Sequence, residues 1–390
     1  MIEKALKGSP KYYGWLLFLL VLCGGALGMF IYQVSEGLGV TAMGRDVTWG
    51  FYIAQFTFLV GVAASAVMVV LPYYLHDYKA FGRITILGEF LAVPAVLLCM
   101  TFIVVDMGQP FRLPNVFIFI SPTSMMFWDT VSLSGYLLLN IVIGWKVLDC
   151  ERNGAAPPKW IKPFILLSIP WAVSIHTVTA FLYSGLAGRS FWFTAVLAPR
   201  FLASAFAAGP ALLIILCLLV RKFSKFDPGD AAIRQLSKVV AYAFLINLFL
   251  FGMELFTVYY SGMEHHQEAF NYLLFGYHGE ITNVMPFMWL SLGLSAVAVV
   301  LLVVPKYRNN LAILPFTAVM VFVAIWIDKG AGMMTGGMIP STLGTVSPYF
   351  PSWVEIVMGM GIYAFGALVL TLLYKIAITV KEEGEQLRQN

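Results

Sequence analysis

The sequence predicts an all-α polytopic membrane protein of about ten transmembrane helices, with N- and C-termini cytoplasmic. Three observations carry that expectation. Of 390 residues, 60% are hydrophobic and only 11% charged, against about 25% charged in a soluble domain. Mean hydropathy is +0.84. Apolar runs long enough to cross a bilayer, about 20 residues each, recur from one end of the chain to the other.

In order, the expected spans are roughly 13–34, 50–74, 83–105, 126–147, 162–186, 193–220, 237–261, 281–304, 310–327 and 354–376. The first follows a lysine-bearing N-terminus but lacks a small-residue cleavage site, so it is expected to stay as a helix. The fifth contains Pro170, which a membrane helix tolerates as a kink. The ninth is the shortest, with Asp328 expected to close it. Residues 1–377 form one membrane domain on this reading, and 378–390 form a polar, frayed cytoplasmic tail. Lys and Arg set the orientation: 19 fall on one side and 5, including Arg200 and Lys329, on the other. The richer side is cytoplasmic. Outer connections at 35–49, 106–125, 262–280 and 328–353 are long and rich in Pro, Gly and aromatics. They are expected to form a structured cap or a dock for a partner.

Composition also excludes functions. Net charge is +4 and no basic face tracks phosphates, so nucleic acid is not a partner. The four cysteines (Cys23, Cys99, Cys150, Cys217) are far apart, which leaves no pattern for an iron–sulfur cluster or covalent haem on this chain. Of the five histidines only His176 falls within a span, against a bis-histidine haem. The run Glu264, His265, His266, Glu268, His278, Glu280 fits no standard metal spacing and is expected to contact a partner. No metal site is expected.

The stretch Asp106–Asp129 organises the chain. It holds two carboxylates, Arg112 and three prolines between apolar segments, and reads as the lid of a small-molecule site on the outer face. Charges at membrane depth are functional candidates by default. Glu89, His176, Glu254, Asp328 and Glu355 join Asp106, Asp129, Arg112 and Arg189 in that class, and one shared outer pocket is the economical expectation. Plainer roles stand beside it: an Asp106–Arg112 interfacial ion pair, or helix-packing hydrogen bonds for His176, Glu254 and Glu355.

At these residues the chain resembles the NrfD/PsrC family, the polysulfide reductase type of membrane subunit found in anaerobic respiratory complexes. DMGQPFR (Asp106, Gly108, Pro110, Arg112) is similar to the family's Asp-x-Gly-x-Pro-x-Arg stretch. SPTSMMFWD resembles its Ser-Pro-x-Ser…Trp segment. IHTVTAF…GRSFWFTAVLAPRFLASAFAAG (His176, Arg189, Trp192, Pro199, Gly209) and YFPSWVE (Tyr349, Pro351, Glu355) complete four motifs in order. Ten spans point to the branch typified by DsrP, QrcD and HmcC, with most likeness to HmcC of the high-molecular-weight cytochrome c complex.

The resemblance implies two four-helix bundles, at about 50–186 and 193–327, with flanking helices. It also implies a cofactorless subunit that binds menaquinone and docks an outer-side iron–sulfur, ferredoxin-like subunit, alongside a multihaem cytochrome c and other membrane subunits. The family's quinone region corresponds to TWGFYIAQF, which offers Tyr52 and Gln55 but no histidine.

Quinone chemistry asks for the same residue types. Two electrons and two protons convert quinone to quinol, so a flat apolar slot needs a titratable donor at each end. His176 and Asp129 are the candidate donors. Glu89 and Glu254 are expected to handle protons, with Asp77 below Glu89. Trp49, Tyr52, Trp128 and Trp192 are expected to line the slot, as aromatics at an interface also do without any ligand. Expected quinone contacts are Trp49, Tyr52, Gln55, Asp106, Arg112, Trp128, Asp129, His176 and Arg189. Proton translocation is an added possibility on this reading, in the inner membrane of a bacterium. The alternative is a proton-coupled secondary transporter.

Overall fold

In the computed structural model, which describes residues 2–76 and 78–389 with side chains through Gly384, ten helices are long and apolar enough to cross a membrane. Asp77 lies outside the described residues. The spans are Pro10–Glu36, Phe51–Leu75, Thr85–Asp106, Met125–Arg152, Ile161–Ser184, Leu197–Phe223, Asp230–Tyr260, Met285–Val303 and Leu314–Met338, then Trp353–Gln389. No strand forms among the described residues.

The spans pack as two groups around a shared seam. Spans two to five pack together, as do spans six to nine, while spans one and ten pair on the outside and lean on span three. Span two is the core helix: every residue from Tyr52 to Val67 is buried, so its sequence is apolar all round instead of amphipathic. It meets spans six and nine across the seam.

Local chemistry explains the ends and kinks. Span one starts at Pro10, with Ser9 Oγ accepting from the Tyr12 N–H as N-cap. Pro72, Pro94, Pro170 and Pro210 all lie inside spans. Each removes a backbone donor, and neighbouring helices supply the packing that tolerates it.

Two boundaries differ from the sequence expectation. Span nine does not end at Asp328 but continues to Met338 through a π-helical stretch, Trp326–Gly332. The connection that follows is correspondingly shorter than 328–353. Asp328 and Lys329 read as loop residues in the sequence because adjacent charges before a Gly-rich run resemble a helix end. Arg200 holds Asp328 inside, and Lys329 lies over the Phe201 ring. Nor does the C-terminus fray at 378, since span ten runs on as helix to Gln389. Lys381 Nζ binds both carboxylate oxygens of Glu151 at 3.0 and 3.1 Å, and Lys4 pairs with Glu383.

One end of the bundle holds both termini and short connections. The opposite, loop-rich face carries the helix Glu264–Leu274, the short turns Pro110–Arg112 and Asn115–Ile118, and the segment leading into span ten.

Candidate functional site

An open cavity on the loop-rich face has a volume of about 420 Å³, within the range of small-molecule pockets. Trp49 and Thr48 form one wall at the start of span two. Gly185–Arg189, between spans five and six, form another, with Met338 and Thr342 closing the third. Arg189 donates to the Met338 carbonyl at 3.1 Å. Burial pulls its guanidinium down from the ordinary value while Asp46 beside it works the other way.

Behind Trp49 stands an aromatic stack. Its ring centroid is 5.7 Å from Tyr183 and 5.8 Å from Trp192, and Tyr183 lies 6.0 Å from Phe201. The Trp192 indole donates to the Met333 carbonyl at 2.9 Å. Gly337 is required there, because a Cβ would collide with that indole.

Beyond Phe201 the interior turns ionic. Arg200 donates to Glu254 Oε2 at 2.7 Å and to both oxygens of Asp328 at 2.7 and 2.9 Å. One guanidinium thus joins spans six, seven and nine. Nη1 serves Glu254 and Nη2 serves Asp328, so the two arms of the planar fork bridge two carboxylates. Lys329, next along the π-turn, turns to the seam: its Nζ sits 4.1 Å from the Phe201 ring centre and makes no hydrogen bond. Gly61 of span two leaves the room for it, since a Cβ there would lie 3.3 Å from Nζ. The His176 ring also reaches the Gly61 backbone. Its Nδ1 is 3.0 Å from the Ala172 carbonyl, and Nε2 has no partner of ordinary geometry.

Other predicted residues are distributed around this centre instead of sharing one pocket. Asp129 is buried and accepts from Thr179 at 2.6 Å. Tyr52 donates to Gln33 at 2.7 Å, and Gln33 donates to the Val105 carbonyl at 2.6 Å. Gln55 Oε1 accepts from both Trp326 and Tyr363 at 2.7 Å. Glu254 is in the Arg200 cluster. Asp106 keeps one buried oxygen without a partner, and Arg112 is exposed, so no ion pair joins them. Trp128 is 44% exposed and its indole is taken by the Pro122 carbonyl. The stretch between Asp106 and Asp129, expected as a lid, contributes no residue to the lining of this cavity. Of the predicted contacts, the cavity brings Trp49 and Arg189 together.

Glu355 latches the loop-rich face. It is fully buried and accepts from Tyr349 Oη at 2.6 Å and from the N–H groups of Ala42 and Ser352 at 2.9 and 2.8 Å. Tyr349 in turn accepts from the Phe51 N–H at 2.6 Å, capping span two. Burial pushes the Tyr349 hydroxyl up from its ordinary 10.0, and Glu355 adds to it.

Towards the end that holds the termini, Glu89 is buried with neither carboxylate oxygen hydrogen-bonded. Gly144 of span four packs against it. The Lys381–Glu151 pair lies on the same side of the bundle, brought there by span ten, whose Tyr374 donates to the Leu87 carbonyl at 2.8 Å.

Sequence reasoning overlooks Arg200, Lys329, Asn247 and Gln33. The first two count there only as outer-side charges, although Arg200 falls within the expected span 193–220, in the unbroken apolar run LAPRFLASAFAAG, which is signal enough. Asn247 and Gln33 carry no such signal. Among the described residues, no group of three or more His, Cys, Asp or Glu side chains is placed to hold a metal ion.

Known proteins place the chain. It is 27% identical to a protein described as a dimethyl sulfoxide reductase membrane subunit of Halobacterium salinarum, over 92% of this chain and 89% of that one. It is 21% identical to the Hdr-like menaquinol oxidoreductase integral membrane subunit of Archaeoglobus fulgidus, over 98% and 97%. With the menaquinone reductase integral membrane subunit of Nitratidesulfovibrio vulgaris it shares 22% over 96% and 93%. The family model of polysulphide reductase, NrfD, matches residues 39–339. The chain is an integral, multi-pass membrane protein and belongs to the NrfD family.

Proposed function

We propose that this chain is the quinone-interacting membrane subunit of a multisubunit anaerobic respiratory oxidoreductase, working between menaquinone or menaquinol and an electron-carrying partner. The observation that carries this reading is the 420 Å³ cavity. It has an indole face at Trp49, a guanidinium at Arg189 and a hydroxyl at Thr48, at the level where a lipid-borne head group meets protein donors. Relatives whose names include menaquinol oxidoreductase and menaquinone reductase support it over nearly the full chain.

The chemistry follows from the lining. A naphthoquinone ring stacks on Trp49 and its carbonyl oxygens accept from Arg189 and Thr48. Electrons pass to or from a partner seated on the loop-rich face, an iron–sulfur, ferredoxin-like or cytochrome c protein. The high-molecular-weight cytochrome branch is the complex favoured by the sequence. The termini face the cytoplasm of a bacterium and the loop-rich face looks outward, as the Lys/Arg asymmetry predicts.

Proton uptake from the opposite side is the second reading, and Glu89 favours it. An unpaired buried charge costs several kcal/mol, whereas a carboxyl carrying a proton avoids most of that cost. The group is thereby suited to holding and releasing one proton beneath the seam.

The test is purification of the intact assembly from native membranes, identification of its subunits, and quinol titration of Trp49 and Arg189 variants. Redox-active partners and a raised KM for quinol in those variants support the proposal. A chain that purifies alone and transports a solute in proteoliposomes overturns it in favour of a secondary transporter.

A further inference from the structure

Two small cavities flank Asp328, each about 10 Å³, room for roughly one water apiece. The first is bounded by Arg200, Ser204, Asn247, Asp328 and Lys329. The second, on the other side, is bounded by Asn247, Ser291, Ser295 and Asp328 together with apolar residues of spans seven to nine. Asn247 and Asp328 belong to both. Asn247 is 3% exposed and its Oδ1 has no hydrogen-bond partner; Lys329 is 4% exposed and its Nζ has none either. A donor and an acceptor therefore border the same polar void.

A buried amide oxygen without a partner costs about 1–3 kcal/mol, and an unpaired ammonium costs more. One water with two to four polar partners satisfies such groups. A void lined only by apolar side chains would stay dry, but these are not. Asp328 and Lys329 both reach this void from the π-turn Trp326–Gly332, and such turns recur at functional sites.

We propose that these two cavities hold water and, with Lys329, Asn247 and Asp328, form a buried proton relay from the His176–Gly61 seam to Ser295 of span eight. It is separate from Glu89, which lies in the other bundle. This rests on the quinone reading for its purpose. Each quinol oxidised gives two electrons to the partner and two protons; the relay carries the protons one at a time and no electrons. The aromatic stack behind Trp49 ends on Phe201, which lies under Lys329 and lines the first of these cavities. Lys329 Nζ, a neutral amine between transfers, takes the proton; the first water carries it to the Asp328 carboxylate, which borders both cavities beside the Asn247 amide. The second water delivers it to Ser295, one helical turn beyond Ser291.

Two measurements on the intact complex test this. An experimental density map that resolves water is expected to show one molecule in each cavity, within hydrogen-bond reach of Lys329 Nζ, Asn247 Oδ1 and Ser295 Oγ. Cavities that are dry or filled by side chains overturn the proposal. In turnover, Asn247→Leu and Ser295→Val are expected to lower kcat for quinol oxidation about tenfold, leave KM within about twofold, and raise the H2O/D2O rate ratio, while Asn247→Asp retains most of the rate. Wild-type kcat and isotope ratio in both apolar variants overturn the relay. Ser295→Val, which removes the hydroxyl and adds a single heavy atom, carries the test if Asn247→Leu does not fold. A wild-type complex that neither binds nor oxidises quinol removes the quinone reading, and the water densities alone then decide the cavities.

Discussion

Asp328 and Lys329 are neighbours on one π-helical turn, yet their charges serve different seams. Asp328 is held between spans six and nine by Arg200 Nη2, which donates to its two oxygens at 2.7 and 2.9 Å. Lys329 lies over Phe201 and against Gly61, where spans two, six and nine meet. Neighbouring residues of a helix already point about 100° apart, enough to reach different partners, and the helix stays continuous through the π-turn to Met338.

The Arg200 cluster is expected to respond asymmetrically to mutation. Arg200→Met leaves Glu254 and Asp328 buried without a counter-charge, a loss of about 3–5 kcal/mol. Neutralising all three in Arg200→Met/Glu254→Gln/Asp328→Asn is expected to recover much of that stability. The check is the thermal midpoint of each detergent-solubilised variant. A triple variant no more stable than the single one contradicts the argument.

Tyr349→Phe removes the hydroxyl between Glu355 and the Phe51 N–H. A loss of about 1–3 kcal/mol is expected from the groups left unpaired, with faster amide exchange around residues 42–52. The wild-type hydroxyl is pushed up from 10.0 by burial, so the folded state holds this proton more tightly than the unfolded one. Its contribution is complete below pH 10 and is lost as pH rises beyond that value. The alkaline limb of the stability profile is therefore expected to flatten in the variant.

Gly188→Leu is expected to narrow the cavity, because a Cβ there already meets Thr342 at 3.2 Å. Quinol KM rises about tenfold or more while the melting temperature holds. Unchanged quinol kinetics would move the binding site elsewhere.

Glu89→Gln is expected to leave stability within about 1 kcal/mol, because neither carboxylate oxygen makes a hydrogen bond that the amide would lose. Quinol binding also stays. Protons moved per electron in proteoliposomes fall. Unaltered proton movement assigns Glu89 to packing alone.

Much of this architecture was legible in the chain because hydropathy is a local property. A run such as FYIAQFTFLVGVAASAVMVVL must leave water wherever it sits, so ten spans could be counted before any packing was known. Family motifs around His176, Arg189 and Glu355 were legible for the same reason, as short contiguous strings. Trp49 and Arg189 stand out in the sequence, but their meeting across one cavity does not.

The sequence by itself determined the membrane class, the number of spans, the basic asymmetry and the family. Tertiary structure alone decided which charges are partners. Arg200, Glu254 and Asp328 are 54 and 128 residues apart along the chain, and no local pattern encodes such pairings. It also decided that Asp328–Lys329 continues a helix. In low-dielectric surroundings a charge persists where another span supplies its counter-charge or its water, and that supply is a property of the packed bundle.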